Sequence, residues 1–336
     1  MSALNVAFTI CSNNYLAQAN ALKKSFLKYN PNFTFYIFLV DELVSKIDYS
    51  LFKPAIIKPV ESIIKKHNLD VLIEKYNIIE LNTCIKPSMF KYIISNNPKS
   101  KIIYYLDPDL YFYASLNEVN NKLKLNSIAL TPHIMSPIER DGHMPDENVF
   151  LNFGIYNLGF IGINAQHNEA QKMLNWWEER TLNFGFDNTK KGYFVDQLWM
   201  NLTPLFFKDV VVLKSFGYNM GPWNLHERKI IEIKDNKVLL NDNSNLVFYH
   251  FSKLAANTTD ISREYNRYSL LELPLISELY YRYKTTVENF NYSRFNEMKI
   301  AYKVKEPIDL TYKKGSIIKR ILKKMSVWLS KIADKF

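Results

Sequence analysis

The sequence predicts an α/β fold: a central, mainly parallel β-sheet flanked by helices, followed by a helical C-terminal appendage. Three observations lead there. Apolar strand-like runs alternate with helical stretches over the first 113 residues, the pattern of parallel strands joined by crossover helices. The run at 102–113, Ile-Ile-Tyr-Tyr-Leu-Asp-Pro-Asp-Leu-Tyr-Phe-Tyr, reads as a strand buried on both faces, as strands covered by helices on each side must be. The chain has 336 residues, 47% of them hydrophobic and 15% aromatic, ample for a sizeable core and unlike a disordered polymer.

The elements follow in order. Residues 6–10 read as a short buried strand, 11–14 as a polar turn, and 15–29 as a helix with Ala17, Ala21, Leu22, Ser25 and Phe26 on its inner stripe. A second strand covers 33–40, and a helical segment spans about 60–76. Pro87 opens the next helix, which an Asn-Asn-Pro-Lys turn stops near Asn96. Further strands are expected at 127–132, 154–163, 210–213 and 247–250, with a hairpin over 229–246. Helices are expected at 167–184, within 192–205, and over 270–290. These divide into a body over 1–265, a helical extension over 266–310 and a basic segment over 311–336.

Bulk properties exclude several classes. The two cysteines, Cys11 and Cys84, sit in apolar surroundings, so no disulfide framework is implied and a cytoplasmic setting is the default. The first residues lack a signal-peptide pattern, and no run of 18 apolar residues occurs. The net charge of +10 is uneven: residues 311–336 hold +7, leaving +3 for the first 310. Binding to nucleic acid by charge would need basic residues spread over the body, so that partner is not expected. In the tail, apolar Ile317, Ile321, Leu322, Met325, Trp328 and Ile332 recur at three- and four-residue steps opposite lysines and arginines. That is a basic amphipathic helix suited to an anionic membrane surface, or a helix docked on the protein or a dimer partner.

Asp107 and Asp109 are the most informative residues. In an extended strand, side chains two apart share a face, and Pro108 stiffens the link between them. Two bare carboxylates side by side repel unless a divalent cation sits between them. The ligand site of a parallel sheet lies at the carboxyl ends of its strands, where this pair falls. Surface turns are also rich in aspartate, but buried apolar flanks argue against that reading. Lys86, Lys91 and Lys253 are either supports for a departing phosphate or ordinary solvated charges. The stretch 216–228 is dense in Gly, Asn and aromatics. It is either a binding loop, with Trp223, Asn224, His226 and Arg228 framing a sugar, or a packed irregular connection. Residues 135–148 read as a polar lid.

These motifs, in this order, resemble a known group. The strand-helix start, the Leu-Asp-Pro-Asp motif, an Asn-x-Gly-Phe-x-Gly strand at 157–162, an Asp-Gln pair at 196–197 and a late Tyr-His-Phe strand at 249–251 are similar to metal-dependent GT-A glycosyltransferases, glycosyltransferase family 8 and its bacterial relatives. The likeness covers about residues 5–255. It implies a GT-A, Rossmann-like fold and a sugar moved from a nucleotide donor, UDP-sugar foremost, to a hydroxyl of a glycan or lipid-linked acceptor. It implies that Asp107, Asp109 and His250 hold manganese or magnesium, although a lone histidine on such a strand is often a core residue. It places Asn157 near the donor sugar and Asp196 and Gln197 beneath its ring, where Asp196 also reads as a helix cap. The turn carrying Thr9, Cys11, Ser12, Asn13 and Tyr15 would hold base and ribose, and Lys253 the diphosphate. Ser252-Lys253-Leu254 departs from the Gly and Lys-Pro-Trp that usually follow the family's histidine. The resemblance also implies that the anomeric configuration is retained. With the tail on a membrane, the expected setting is the inner face of the plasma membrane, in cell-surface polysaccharide synthesis. The competing readings are a sugar-phosphate nucleotidyltransferase and a catalytically inactive glycan-binding scaffold. Cys11-Ser-Asn-Asn14 lacks the Gly-rich basic loop of the former.

Overall fold

The computed structural model describes residues 5–235, 237–253 and 259–305; the basic helix expected at 311–336 lies outside them. β1 (Asn5–Cys11), β2 (Phe33–Leu39), β3 (Ile56–Pro59) and β4 (Ile102–Leu106) run parallel, linked by α1 (Leu16–Tyr29), α2 (Lys66–Lys75), α3 (Ile78–Cys84) and α4 (Lys86–Asn96). After β5 (Leu110–Phe112) come α5 (Asn117–Leu123), β6 (Ile128–Pro132), α6 (Glu147–Phe153), β7 (Tyr156–Asn164) and α7 (Asn168–Phe184). Then follow β8 (Asp187–Asn188), β9 (Tyr193–Phe194), α8 (Thr203–Phe206) and β10 (Val210–Val212). The chain continues through β11 (Ile230–Lys234), β12 (Lys237–Leu240), β13 (Phe248–His250), α9 (Pro274–Glu288) and α10 (Tyr292–Asn296). The central sheet has seven strands in the order β10-β6-β7-β4-β1-β2-β3, and only β7 runs against the rest. The architecture is therefore the mixed, mainly parallel one that the strand-helix alternation predicts.

The sheet is covered on both faces, and the strands show it residue by residue. Phe8, Tyr36, Phe38, Ile103 and Tyr105 face one core, with Met89 and Phe90 of α4 and Trp177 of α7. Ala7, Phe35, Ile37, Tyr104 and Leu106 face the other, with Leu22 and Phe26 of α1. Alternate residues thus enter opposite layers, which is why these runs are apolar throughout. A third cluster joins Tyr249 and Phe251 to Leu279, Tyr280 and Tyr283 of α9. The Phe251 and Tyr283 rings stack with centroids 3.9 Å apart.

Three expectations need correction. The run over 102–113 is two strands, not one: β4 belongs to the main sheet, and β5 pairs with β13 in a separate ribbon. Between them Asp107-Pro108-Asp109 makes a turn, with the Leu110 N–H donating to the Asp107 carbonyl at 3.1 Å. The pattern of alternating faces does not cross that turn, because Pro108 has no N–H for a ladder. After the unexpected strand β3, residues 60–76 hold a 3₁₀ turn at Val60–Ser62 and an α-helix only from Lys66. The region 192–205 holds a 3₁₀ helix, Leu198–Leu202, and only one turn of α-helix. Helices α3, α5 and α6 were not anticipated. For α3 a start signal is visible in retrospect: Asn77 and Glu80 form a reciprocal capping box.

Candidate active site

The backbone builds the site before any side chain contributes. Asp107 leaves β4 with its N–H on the Gly159 carbonyl of β7 at 2.7 Å. The Asp109 carbonyl accepts the Phe251 N–H at 3.0 Å. The β5–β13 register sets His250 opposite Leu110, one residue beyond Asp109. Two turn acids and a strand histidine are thereby forced together. His250 Nε2 lies 3.0 Å from Asp109 Oδ1 and 3.7 Å from Asp107 Oδ2. One ligand atom from each of the three falls within 4.8 Å of the others.

Gly159 makes room for this. A Cβ there would lie 2.4 Å from His250 Cε1 and 2.8 Å from Asn157 Oδ1, closer than any packed side chain tolerates. The ring of Trp223 meets that of His250 edge-on, with centroids 5.1 Å apart. Burial alone would lower the His250 pKa, but Asp109 and then Asp107 outweigh it and raise it.

Behind the acids lies a buried ion pair. Lys86 Nζ sits 2.9 Å from Asp196 Oδ2, 3.8 Å from Asp107 Oδ1, and donates to the Leu158 carbonyl at 3.1 Å. Burial lifts the Asp196 carboxyl above its usual range although Lys86 pulls it down. The cap reading of Asp196 therefore fails: its carboxylate faces Lys86, and the following 3₁₀ helix has no side-chain cap. Three carboxylates here meet one lysine and one histidine. That donor set, hard oxygens with an imidazole and an excess of negative charge, fits a divalent cation such as manganese or magnesium.

The remaining expected residues divide. A cleft of about 210 Å³ opens beside Asp107 and Asp109, walled by Cys11, Ser12 and Tyr15 at the end of β1 and by Ile79 and Asn82 of α3. Thr9 is not part of it; it is fully buried in mid-strand. Asn13 is committed elsewhere: its amide donates to the Glu42 carbonyl and accepts the Tyr49 hydroxyl at 2.8 Å. Lys91 pairs with Glu178 and links α4 to α7; it does not approach the acids. Asn157 is held in place, its amide on His133 Nε2 at 3.0 Å and its carbonyl oxygen taken by Gly159 N–H and Asn219. Gln197 accepts the Leu158 N–H of β7 and donates to the Phe153 carbonyl at the end of α6, so its amide ties the strand to that helix.

The stretch 216–228 is a packed connection in which Trp223 and Asn224 are buried, unlike the donor contacts expected of them, while His226 is half-buried. Trp223 is 3% exposed, wedged among His133, His250, Ile138 and Phe150, so it presents no open ring face to a sugar. Asn224 is fully buried, with its amide donating to the His133 and Asn219 carbonyls. His226 contacts the Ser136 carbonyl at 3.2 Å. Glu227 takes the N–H groups of Met135 and Ser136, and Arg228 donates to the Tyr218 carbonyl. Many of the loop's buried polar groups are satisfied internally, as burial demands, although Asn219 Oδ1, Trp223 Nε1 and Arg228 Nη2 have no partner. Lys253 pairs with Glu264 and lines a second cleft, of about 300 Å³, on the other side of Asp109. Sequence reasoning missed Tyr105, whose hydroxyl bonds Asp107, and the α3 wall; Gly159 lay in the quoted Asn-x-Gly motif, but its part in seating His250 was not foreseen.

No family model matches the chain. It is similar to the uncharacterized protein YfnF of Bacillus subtilis (strain 168), 28% identical over 275 residues, 81% of this chain and 89% of that one. The uncharacterized protein YfnD of the same strain is 29% identical over 175 residues, 50% of this chain and 51% of that one. Among solved structures, the galactosyltransferase LgtC in complex with donor and acceptor sugar analogs is 13% identical with a TM-score of 0.51, covering 84% of this chain and 95% of that one. The fold is accordingly the GT-A fold of glycosyltransferases.

Proposed function

We propose that the protein is a metal-dependent glycosyltransferase that moves a hexose-type sugar from a nucleoside-diphosphate donor, a UDP-sugar foremost, to a glycan hydroxyl. One observation carries the reading. Asp107, Asp109 and His250 converge within 4.8 Å at the carboxyl ends of the strands, next to an open cleft of about 210 Å³. The GT-A fold supports it, as do the donor and acceptor analogs bound by LgtC.

A cation held by these three residues would neutralise the charge that develops on the leaving diphosphate. The other roles fall to the chain. Tyr105 and the Gly159 carbonyl hold Asp107 in one orientation. Lys86 adds positive charge behind Asp107, and Asp196 keeps that lysine in place. Asn157 and Gln197 fix β7, the strand on which the sugar pocket would rest. Retention by same-face attack, with the diphosphate acting as base, is proposed on the resemblance to family 8 glycosyltransferases. The acceptor is proposed to be lipid-linked and the product a cell-surface polysaccharide. The basic segment 311–336 would hold the enzyme on the inner face of an anionic membrane. No helix among the described residues is long and apolar enough to cross a membrane.

The test is thermal shift of the full chain with a panel of nucleoside diphosphates, with and without manganese. Stabilisation by one nucleotide only in the presence of the cation is expected. No shift with any of them would favour the scaffold reading. For the tail, removing 311–336 should abolish liposome co-sedimentation; continued binding would refute the membrane role.

A further inference from the structure

A third cleft, of about 660 Å³, opens at the opposite rim of the sheet, its volume within the roughly 300–1,000 Å³ of ligand pockets. Asn5 and Ile102 line it at the starts of β1 and β4, and Asn164 at the end of the antiparallel β7. The length of β4 separates it from the acids, roughly 16 Å of extended chain, so it takes no part in the site already described. Six of its ten lining residues carry side-chain amides and none is acidic. The acid of the neighbouring helix α5, Glu118, is engaged by Tyr218 and Lys122 instead.

These amides are held rather than loose. Tyr104 is fully buried, and its hydroxyl donates to Asn120 Oδ1 at 2.8 Å. Lys124 donates to Asn121 Oδ1 at 2.8 Å. Asn164 is committed at both ends, donating to the Leu123 carbonyl at 2.9 Å and accepting the Gln166 N–H at 3.1 Å. Gln166 donates to the Ser100 carbonyl at 2.8 Å, which leaves its own side-chain oxygen to accept. The side-chain N–H groups of Asn120 and Asn121 have no partner among the described residues. Lys101 is exposed in the wall and makes no ion pair or side-chain hydrogen bond with them either. Amides fixed in advance lower the ordering cost of binding. Oriented donors, an open acceptor and an unmatched ammonium, over the apolar Ile102 and Leu123, complement a hydroxyl-rich molecule that carries negative charge.

From this juxtaposition we propose that the cleft binds an acidic saccharide, its hydroxyls on the amides of Asn120, Asn121 and Gln166 and its anionic group on Lys101. Sugar hydroxyls both donate and accept, as amides do. An ammonium is a compact point charge that pairs with a carboxylate or a phosphate. A free inorganic anion would leave most of the amides unused, and a neutral sugar would leave Lys101 unmatched. The inference goes beyond the transferase reading and does not depend on it. A glycan held here lies at the far rim from the acids, so it is bound and not transformed.

The experiment is nuclear magnetic resonance titration of the labelled full chain with oligogalacturonate, a phosphorylated mannan oligosaccharide, uncharged maltohexaose and inorganic phosphate. At least one acidic saccharide should shift resonances clustered at 101–102, 117–124 and 164–166. Lys101→Glu and Asn121→Ala are exposed changes, so their melting temperatures should match wild type. Lys101→Glu should weaken the acidic saccharide roughly ten-fold or more, as loss of a charge-assisted contact implies. Asn121→Ala should weaken it about five-fold, and Lys101→Arg should retain binding. Absence of shifts at those residues with both acidic saccharides overturns the proposal, as does wild-type affinity of Lys101→Glu. Maltohexaose binding as tightly would overturn it by making the charge irrelevant. Phosphate giving the same shifts at equal affinity would overturn it by making the cleft a plain anion site. Stabilisation by UDP with manganese should be unchanged in all three variants, so this proposal and the transferase reading fail separately.

Discussion

Asp109 and Asp196 carry the same carboxyl group in two settings, and the contrast separates structural from functional charge. Asp196 has a side chain 1% exposed, matched by a lysine at 2.9 Å. Asp109 is 19% exposed and Asp107 28%, and their nearest shared partner is a histidine that itself is almost fully buried. A buried charge with a dedicated partner holds a fold together. Acids at a cleft, close together and short of positive charge, require something from outside the chain. The same distinction sorts the lysines: Lys86 belongs to the interior, Lys91 to a surface link between two helices.

Breaking each side should give different signatures. Lys86→Met leaves Asp196 buried and unpaired, and should cost about 3–5 kcal/mol of stability, read by chemical denaturation. Adding Asp196→Asn should recover much of it; equal instability of the double variant would show that packing, not charge, sets the cost. Asp109→Asn should do the reverse, leaving unfolding near wild type while weakening manganese-dependent stabilisation on the order of 100-fold. If manganese stabilises this variant as it does wild type, the metal reading is lost.

His133 gives a third contrast, between a buried neutral histidine and the carboxylate-facing His250. Burial, then the nearby His250, pushes the His133 pKa down to about 3. In the unfolded chain it would titrate near its ordinary value of about 6.5. A depressed folded pKa makes this contribution complete above about pH 6.5 and progressively lost as pH falls toward 3. The loss should reach about 1 kcal/mol per pH unit in that window. His133→Gln should flatten the profile there; an unchanged slope would place the acid sensitivity elsewhere. The smallest effect is expected at Gly159. Gly159→Ala must displace the His250 ring and should weaken manganese binding roughly ten-fold, measured by calorimetry, with little change in secondary structure by circular dichroism. Wild-type affinity would mean that His250 is not held by that close approach.

Legibility followed the range of the interactions. Strands β1, β2, β4, β6, β7 and helices α1, α4, α7 were readable because period and capping are local signals. Helix α3 was missed although Asn77 and Glu80 announce it, since a single residue, Ile85, separates it from α4. The break at Pro108 was obscured because two strands of different sheets abut there with apolar residues on both sides. Trp223 and Asn224 misled for the opposite reason. Aromatic and amide side chains suit a sugar site and a buried loop equally well, and only their partners distinguish the two.

The sequence alone determined the layered α/β architecture and the acidic pair, because the alternation of apolar runs and a charged turn inside one are properties of neighbouring residues. Tertiary structure decided what surrounds that pair. It brought His250 across 140 residues through the β5–β13 register, set Lys86 on Asp196 and buried Trp223, and it opened a cleft on each side of Asp109. Convergence of this kind depends on strand pairing between distant segments, which no local pattern of residues encodes.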